Sequence, residues 1–216
     1  AADEGWRAQS ADHRDAIAAL GITQGLVVLT RIDRAGDQRV AQVSEQVRTE
    51  LAQTGLRDAP IVAVSALDGT GLDTLRAVLD DLLAELPAPS STGRVRLWVD
   101  RSFTITGAGT VVTGTLTAGT LAAGDHLQLL DRGHVRAVVI RGLQSCGETH
   151  SELHPTVRVA VNLRGVAAGE VRRGDTLISS DEWLTTTVAD VRHSTGCPLA
   201  KAPERIVVHV GTAAAP

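Results

Sequence analysis

The chain has 216 residues, 43% of them hydrophobic and 2% aromatic, with a formal net charge of -4. That length gives room for one or two domains, and a core drawn from Val, Leu, Ile and Ala suits α/β layers and a small Val-rich barrel. The charge balance excludes a general electrostatic footprint for nucleic acid, no apolar run reaches the roughly 18 residues of a membrane span, and Cys146 and Cys197, outside any C-x-x-C arrangement, give neither a disulfide framework nor a zinc site.

A cytoplasmic, reducing setting and a monomer without a membrane partner are the expectation, since no secretory signal pattern opens the chain. Ser10 is a candidate N-cap for a helix over Ala11 to Leu20, with Ile17 and Leu20 inward and Gly21 ending it. A strand follows over Gly25 to Thr30. Val40, Val43, Val47 and Leu51 recur at helical spacing and mark the inner stripe of a helix from Asp37 to Thr54, closed by Gly55. Ile61 to Val64 reads as a second buried strand. A last helix over Leu72 to Leu86 carries Leu72, Leu75, Val78, Leu79, Leu82 and Leu83 on one broad face before Pro87 stops it. Alternating helices and strands predict a parallel α/β unit over residues 1–89.

Open α/β sheets place ligands beyond the carboxyl ends of their strands, and both strands end in polar loops, Thr30-Arg31-Ile32-Asp33 and Ser65-Ala66-Leu67. The first is similar to the guanine-specifying Asn/Thr-Lys-x-Asp motif of GTPases, the second to their Ser-Ala-x motif. The resemblance implies a guanine nucleotide, GTP or GDP. Asp33 would accept the base N1–H and 2-amino hydrogens in a bidentate arrangement that adenine cannot reciprocate. Arg31, in place of the usual lysine, would lay its stem and guanidinium over the base, and the backbone N–H near Ala66 would approach O6. The opening Ala1-Ala2-Asp3-Glu4-Gly5-Trp6 resembles the end of the preceding GTPase strand.

A phosphate cradle needs G-x-x-x-x-G-K-S/T, whereas the single lysine is Lys201, in Leu-Ala-Lys-Ala-Pro. With no methionine either, the chain is expected to be an internal fragment, its intact parent supplying the P-loop, the switch loops and the Mg2+ ligands. It is not expected to hydrolyse GTP by itself, and no catalytic or metal-binding residue is assigned. In the GTPase sheet the Leu26 to Thr30 strand is internal, so its edge should be left unpaired here and residues 1–89 should be poorly stable alone.

Pro87 to Gly93 is a Pro/Ser-rich connector, after which the hydrophobic period changes to alternation. Strands are predicted over Val95 to Asp100, Thr110 to Leu116, His126 to Leu130, His134 to Leu143, Thr156 to Asn162 and Thr176 to Ser179. Around the Gly107-Ala108-Gly109 turn, Val99, Phe103 and Ile105 are read on one apolar face, with Val111 or Val112 pairing back. Short strands between Gly turns predict a closed β-barrel over 93–180. A near-echo, Gly124-Asp125 and Gly174-Asp175, feeds two outgoing strands. Arg94, Arg96 and Arg101, like Arg132, Arg136 and Arg141, are local basic clusters for which a solvated strand face is the plain alternative to RNA contact. Trp183 to Val191 and Ile206 to Val210 alternate as two further strands.

Asp100-Arg101-Ser102-Phe103, the Gly-x-Gly turn and Thr110-Val-Val-Thr-Gly114 resemble the second domain of translational GTPases, as does Val157 to Leu163. The Asp100-Arg101 pair points to their selenocysteine-specific elongation-factor branch. The resemblance implies an aminoacyl pocket built on Asp100, Arg101 and Arg158. A selenol is anionic near neutral pH where a serine hydroxyl is not, so two guanidinium groups would favour selenocysteine, with Asp100 orienting them. The partners implied are selenocysteinyl-tRNA and the ribosome, a messenger RNA element being reached only through C-terminal domains absent from this chain. Residues 182–216 would begin the next barrel. Two alternatives stay open: another translational GTPase, general elongation factor or initiation-factor γ-like, and a non-catalytic barrel adaptor binding tRNA or ribosome.

Overall fold

The computed structural model describes residues 1–107, 109–131, 133–179, 183, 184, 186, 188, 190 and 207–215. They divide into two units, Ala1–Pro87 and the described residues from Ala88 on. In the first, two short apolar runs make a parallel pair, β1 (Val27–Leu29) and β2 (Ile61–Ala63), with Val28 opposite Val62. Parallel neighbours need a crossover, and α2 (Asp37–Leu51) lies in it, between α1 (Ala8–Ala19) and α3 (Leu72–Glu85). Val43, Val47 and Leu51 of α2 are buried at the predicted spacing, in one core with Ala2, Leu29 and Leu56.

Four local readings are corrected. The first helix starts earlier than Ala11; its N-cap is Arg7, so Ser10 lies inside the first turn, donating its N–H to the Arg7 carbonyl at 2.9 Å. Leu20, read as inward, is 76% exposed at the end of that helix. The broad leucine face of α3 is only half covered, with Leu83 61% exposed and no residue fully buried. A two-stranded sheet is too narrow to cover both leucine rows of such a face. The outer edge of β1 is met at its end by the opening segment, so the expectation of an unpaired edge does not hold at Thr30. Leu29 accepts from the Val64 N–H at 2.8 Å on the β2 side, and Thr30, pointing the other way, accepts from the Ala2 N–H at 2.8 Å.

The second unit is antiparallel. Its strands are β3 (Arg96–Trp98), β4 (Arg101–Ile105), β5 (Gly109–Leu116), β6 (Leu121–Ala122), β7 (His126–Asp131), β8 (His134–Ser145), β9 (Glu148–His150), β10 (Glu152–Leu153), β11 (Val157–Arg164) and β12 (Thr176–Ser179), followed by β13 (Val208–Val210) and β14 (Ala213–Ala215). The main sheet runs β3-β12-β7-β8-β11-β5-β4, with β9 added to β8. Its first and last members are one bent stretch of chain. Before the bend it pairs with β12, after it with β5, and the Asp100 N–H donates to the Thr113 carbonyl at 2.8 Å, so the sheet curls back on itself around Leu97, Val112, Leu116, Leu143, Val161 and Leu177. Gly114 permits this closure, because a Cβ there would lie 2.4 Å from the Trp98 carbonyl oxygen.

The bend also overturns the reading of Val99, Phe103 and Ile105 as one face. Val99 is fully buried in the core, whereas Phe103 and Ile105 are 40% and 43% exposed on the outer face. The echoed Gly-Asp pairs are the same turn twice: the Asp125 carboxylate accepts from the Ala122 N–H at 2.8 Å, and Asp175 from the Arg172 N–H at 2.7 Å. Of the two tail strands, Trp183 to Val191 has five of its nine residues described, and none of those five lies in a strand. Residues 208–215 form the β13–β14 hairpin, whose Thr212 hydroxyl donates to the Val99 carbonyl at 2.6 Å. No helix among the described residues is long and apolar enough to cross a membrane.

Candidate functional site

At the carboxyl ends of β1 and β2 a cavity of about 250 Å3 is lined by Thr30, Arg31, Asp33, Arg34, Val64, Ala66 and Leu67. Five of the six residues read as a guanine site line it. The sixth, Ser65, is fully buried beneath, and its hydroxyl oxygen accepts from the Leu67 and Asp68 N–H groups at 3.2 and 3.4 Å, shaping the turn that presents Ala66. Asp68 tightens the same turn by accepting from the Thr70 N–H at 2.9 Å, which holds its carboxyl below the usual range. Asp33 is exposed and makes no ion pair among the described residues.

Arg31 departs from expectation at its tip. Its backbone is left-handed, φ 60 and ψ 40, a conformation residues other than glycine rarely adopt. Its guanidinium donates to Glu4 and lies 3.3 Å from Asp3. The bond between them holds the Glu4 carboxyl low and raises Arg31. Reading from sequence missed Arg34, Asp3 and Glu4; Arg34 was legible as the cation next to the motif, whereas the carboxylates come from a segment far away in sequence.

A second locus lies on the outer face of the barrel. In register, Arg101 and Ala160 both oppose Thr113, and Arg158 opposes Thr115, so their side chains share one face. Arg158 donates to Asp100 Oδ1 at 3.0 Å and to the Thr113 hydroxyl at 3.3 Å, and that hydroxyl donates to the same Asp100 oxygen at 2.5 Å. Asp100 and Arg158 are thus joined directly; Arg101 shares the face without joining their network. A cavity of about 340 Å3 beside this network is lined by Thr113, Gln144, Ser145, Cys146, Arg158 and Ala160, among others. Gln144 and Ala160 also line a neighbouring slot of about 110 Å3, with Ile105, Val111, Leu143 and Asn162, where the buried Asn162 Oδ1 has no hydrogen-bond partner. Thr113 was missed because a threonine in a strand carries no signal of its own; only the bend at Asp100 brings it to the pair.

The basic clusters divide differently. Arg136 pairs with Glu170 at 2.7 Å, while Arg94 and Arg96 lie 4.5 and 4.9 Å from the centroid of Trp183. Arg132 falls outside the described residues.

Comparison with known proteins gives two family matches, the elongation factor Tu GTP-binding domain over residues 1–85 and elongation factor Tu domain 2 over residues 109–178. The chain is 39% identical over 191 residues to the selenocysteine-specific elongation factor of Desulfomicrobium baculatum, covering 88% of this chain and 30% of that protein. With the factor of the same name from Escherichia coli (strain K12) it shares 34% identity over 200 residues, 90% of this chain and 32% of that protein. The crystal structure of translation elongation factor SelB from Methanococcus maripaludis, in complex with the GTP analogue GppNHp, superposes with a TM-score of 0.76 at 29% identity, over 83% of this chain and 39% of that one. The chain therefore spans about a third of the length of the two curated relatives.

Proposed function

The chain is a homologue of the selenocysteine-specific elongation factors, joining part of an elongation-factor GTP-binding domain to elongation-factor domain 2, and from that premise we propose that it serves a GTP-dependent carrier of selenocysteinyl-tRNA to the ribosome. The observation that carries this reading is the Asp100, Thr113 and Arg158 network bordering a cavity on the barrel's outer face. A guanidinium fixed by a carboxylate and a hydroxyl offers its remaining donors to an anion in a set direction. Selenolate answers that field and a serine hydroxyl does not, while Arg101 adds positive potential to the same face. An aminoacyl group is esterified to a terminal nucleoside, and the mainly apolar slot beside the cavity, with the unpartnered Asn162 in its lining, suits that base.

In the first unit the residues present fit the base of GTP or GDP: Asp33 for N1–H and the 2-amino group, the Ala66 N–H for O6, and Arg31 with Leu67 as walls. They do not fit the phosphates or Mg2+, for which the sequence holds no G-x-x-x-x-G-K-S/T; hydrolysis is assigned to none of these residues. Protection of the ester tests the pocket. The chain should slow spontaneous deacylation of selenocysteinyl-tRNA and leave that of seryl-tRNA unchanged, and Arg158→Ala should abolish the difference without moving the thermal transition. Equal protection of both esters, or no effect of Arg158→Ala, would remove the selenocysteine reading.

A further inference from the structure

We propose that Asp3 and Glu4 are positioning residues of the guanine pocket, holding the Arg31 guanidinium away from Asp33 so that the Asp33 carboxylate stays open to the base. The inference rests on the guanine reading above. Arg31 lines the cavity with Asp33, two residues away and near enough to feel its charge, yet no ion pair joins Asp33 to Arg31 or Arg34 among the described residues. Two carboxylates from the opening segment take the guanidinium instead, Glu4 by a hydrogen bond and Asp3 at 3.3 Å. The segment is itself anchored, with Ala2 fully buried and its N–H bonded to the Thr30 carbonyl at 2.8 Å.

The competition is electrostatic. An arginine tip freed from two carboxylates turns to the nearest remaining one, and in this cavity that is Asp33. A guanidinium paired there occupies the oxygens that would read N1–H and the 2-amino group. Anchoring also spares Arg31 the loss of side-chain freedom on binding, so its stem is a ready wall for a flat ring. Asp3 and Glu4 touch no base in this arrangement; they act through Arg31.

GMP and IMP differ only in the 2-amino group, so the ratio of their affinities isolates what Asp33 reads. We would titrate the whole 15N-labelled chain with each, following the Ile32 and Ala66 amides. The native chain should prefer GMP by roughly tenfold, the worth of a charge-assisted hydrogen bond. Asp3→Asn with Glu4→Gln should bring the ratio near one, and adding Arg31→Ala should restore it, because the freed Arg31 guanidinium is then no longer there to pair with Asp33. Restoration by a further deletion is a readout that mere loss of packing would not give, and Glu4→Gln alone serves if the double variant fails to fold. An unchanged ratio in the carboxylate variants, or no restoration by Arg31→Ala, overturns the proposal. A native chain that fails to distinguish GMP from IMP overturns the guanine reading itself, and the proposal with it.

Discussion

Arg158 is half exposed, at 50% of its side-chain surface, and Asp100 a quarter, so their pair contributes at most about 1 kcal/mol to stability. Its worth is directional. Thr113→Val removes the hydroxyl that accepts from Arg158 and donates to Asp100 while keeping the volume, so the thermal transition should move little and protection of a selenocysteinyl ester should fall about fivefold, the value of one hydrogen bond. Deacylation rates measure it, and full retention would show that Asp100 alone fixes the guanidinium. A second residue-scale prediction concerns acid. Glu170 accepts from the Ala167 N–H at 2.9 Å and pairs with Arg136 at 2.7 Å, bonds that lower its carboxyl pKa in the folded chain. A lowered folded pKa gives stability that is complete above the ordinary glutamate value and lost as pH falls through the folded one. The melting difference between native chain and Glu170→Gln should therefore be full above the ordinary glutamate range and shrink as pH falls below it. A difference independent of pH would place Glu170's contribution in packing, not charge.

The β13–β14 hairpin is held through its turn. Gly211 sits at φ +59 with Trp98 so close that a Cβ would come within 2.3 Å of the ring. Gly211→Ala combines a disfavoured backbone with overpacking, and should cost about 1–3 kcal/mol. Melting combined with Trp98 fluorescence checks it; an unshifted emission and melting point would mean that the turn does not depend on this contact. Elements of this kind separate what sequence can show from what it cannot. The stripe of α2 and the outgoing strands after Gly124 and Gly174 were legible, since one buried face or one Gly-Asp turn specifies them locally. The switch of faces at Asp100 was not, because it is set by backbone bonds from the Val99 N–H to Asp175 and from the Asp100 N–H to Thr113, partners distant in sequence. Similarly, Thr30-Arg31-Ile32-Asp33 announced a base-reading loop, but the hold of Asp3 and Glu4 on Arg31 is a tertiary contact with no periodicity to reveal it.

Two cores that share no residue support the two sites, and among the described residues the first has six buried members against seventeen in the barrel. The first also carries the half-covered leucine face of α3, so less apolar surface is withdrawn from water to offset its chain entropy. Heating should then produce two transitions, the lower one belonging to residues 1–87. GMP binds only the folded first unit in the proposed function, and a ligand stabilises the cooperative body that holds its site. It should raise the lower transition alone and slow amide exchange at residues 27–34 and 61–70, leaving β5, β8 and β11 unchanged. Calorimetry with exchange mass spectrometry reads both. A single transition shifted as a whole by GMP would mean that the base pocket and the aminoacyl face unfold as one body, so that occupancy of the first bears on the stability of the second. Two transitions with one shift would mean that the described chain contains no thermodynamic path between them, and that any coupling of nucleotide to tRNA must come from residues beyond those that build these two cores.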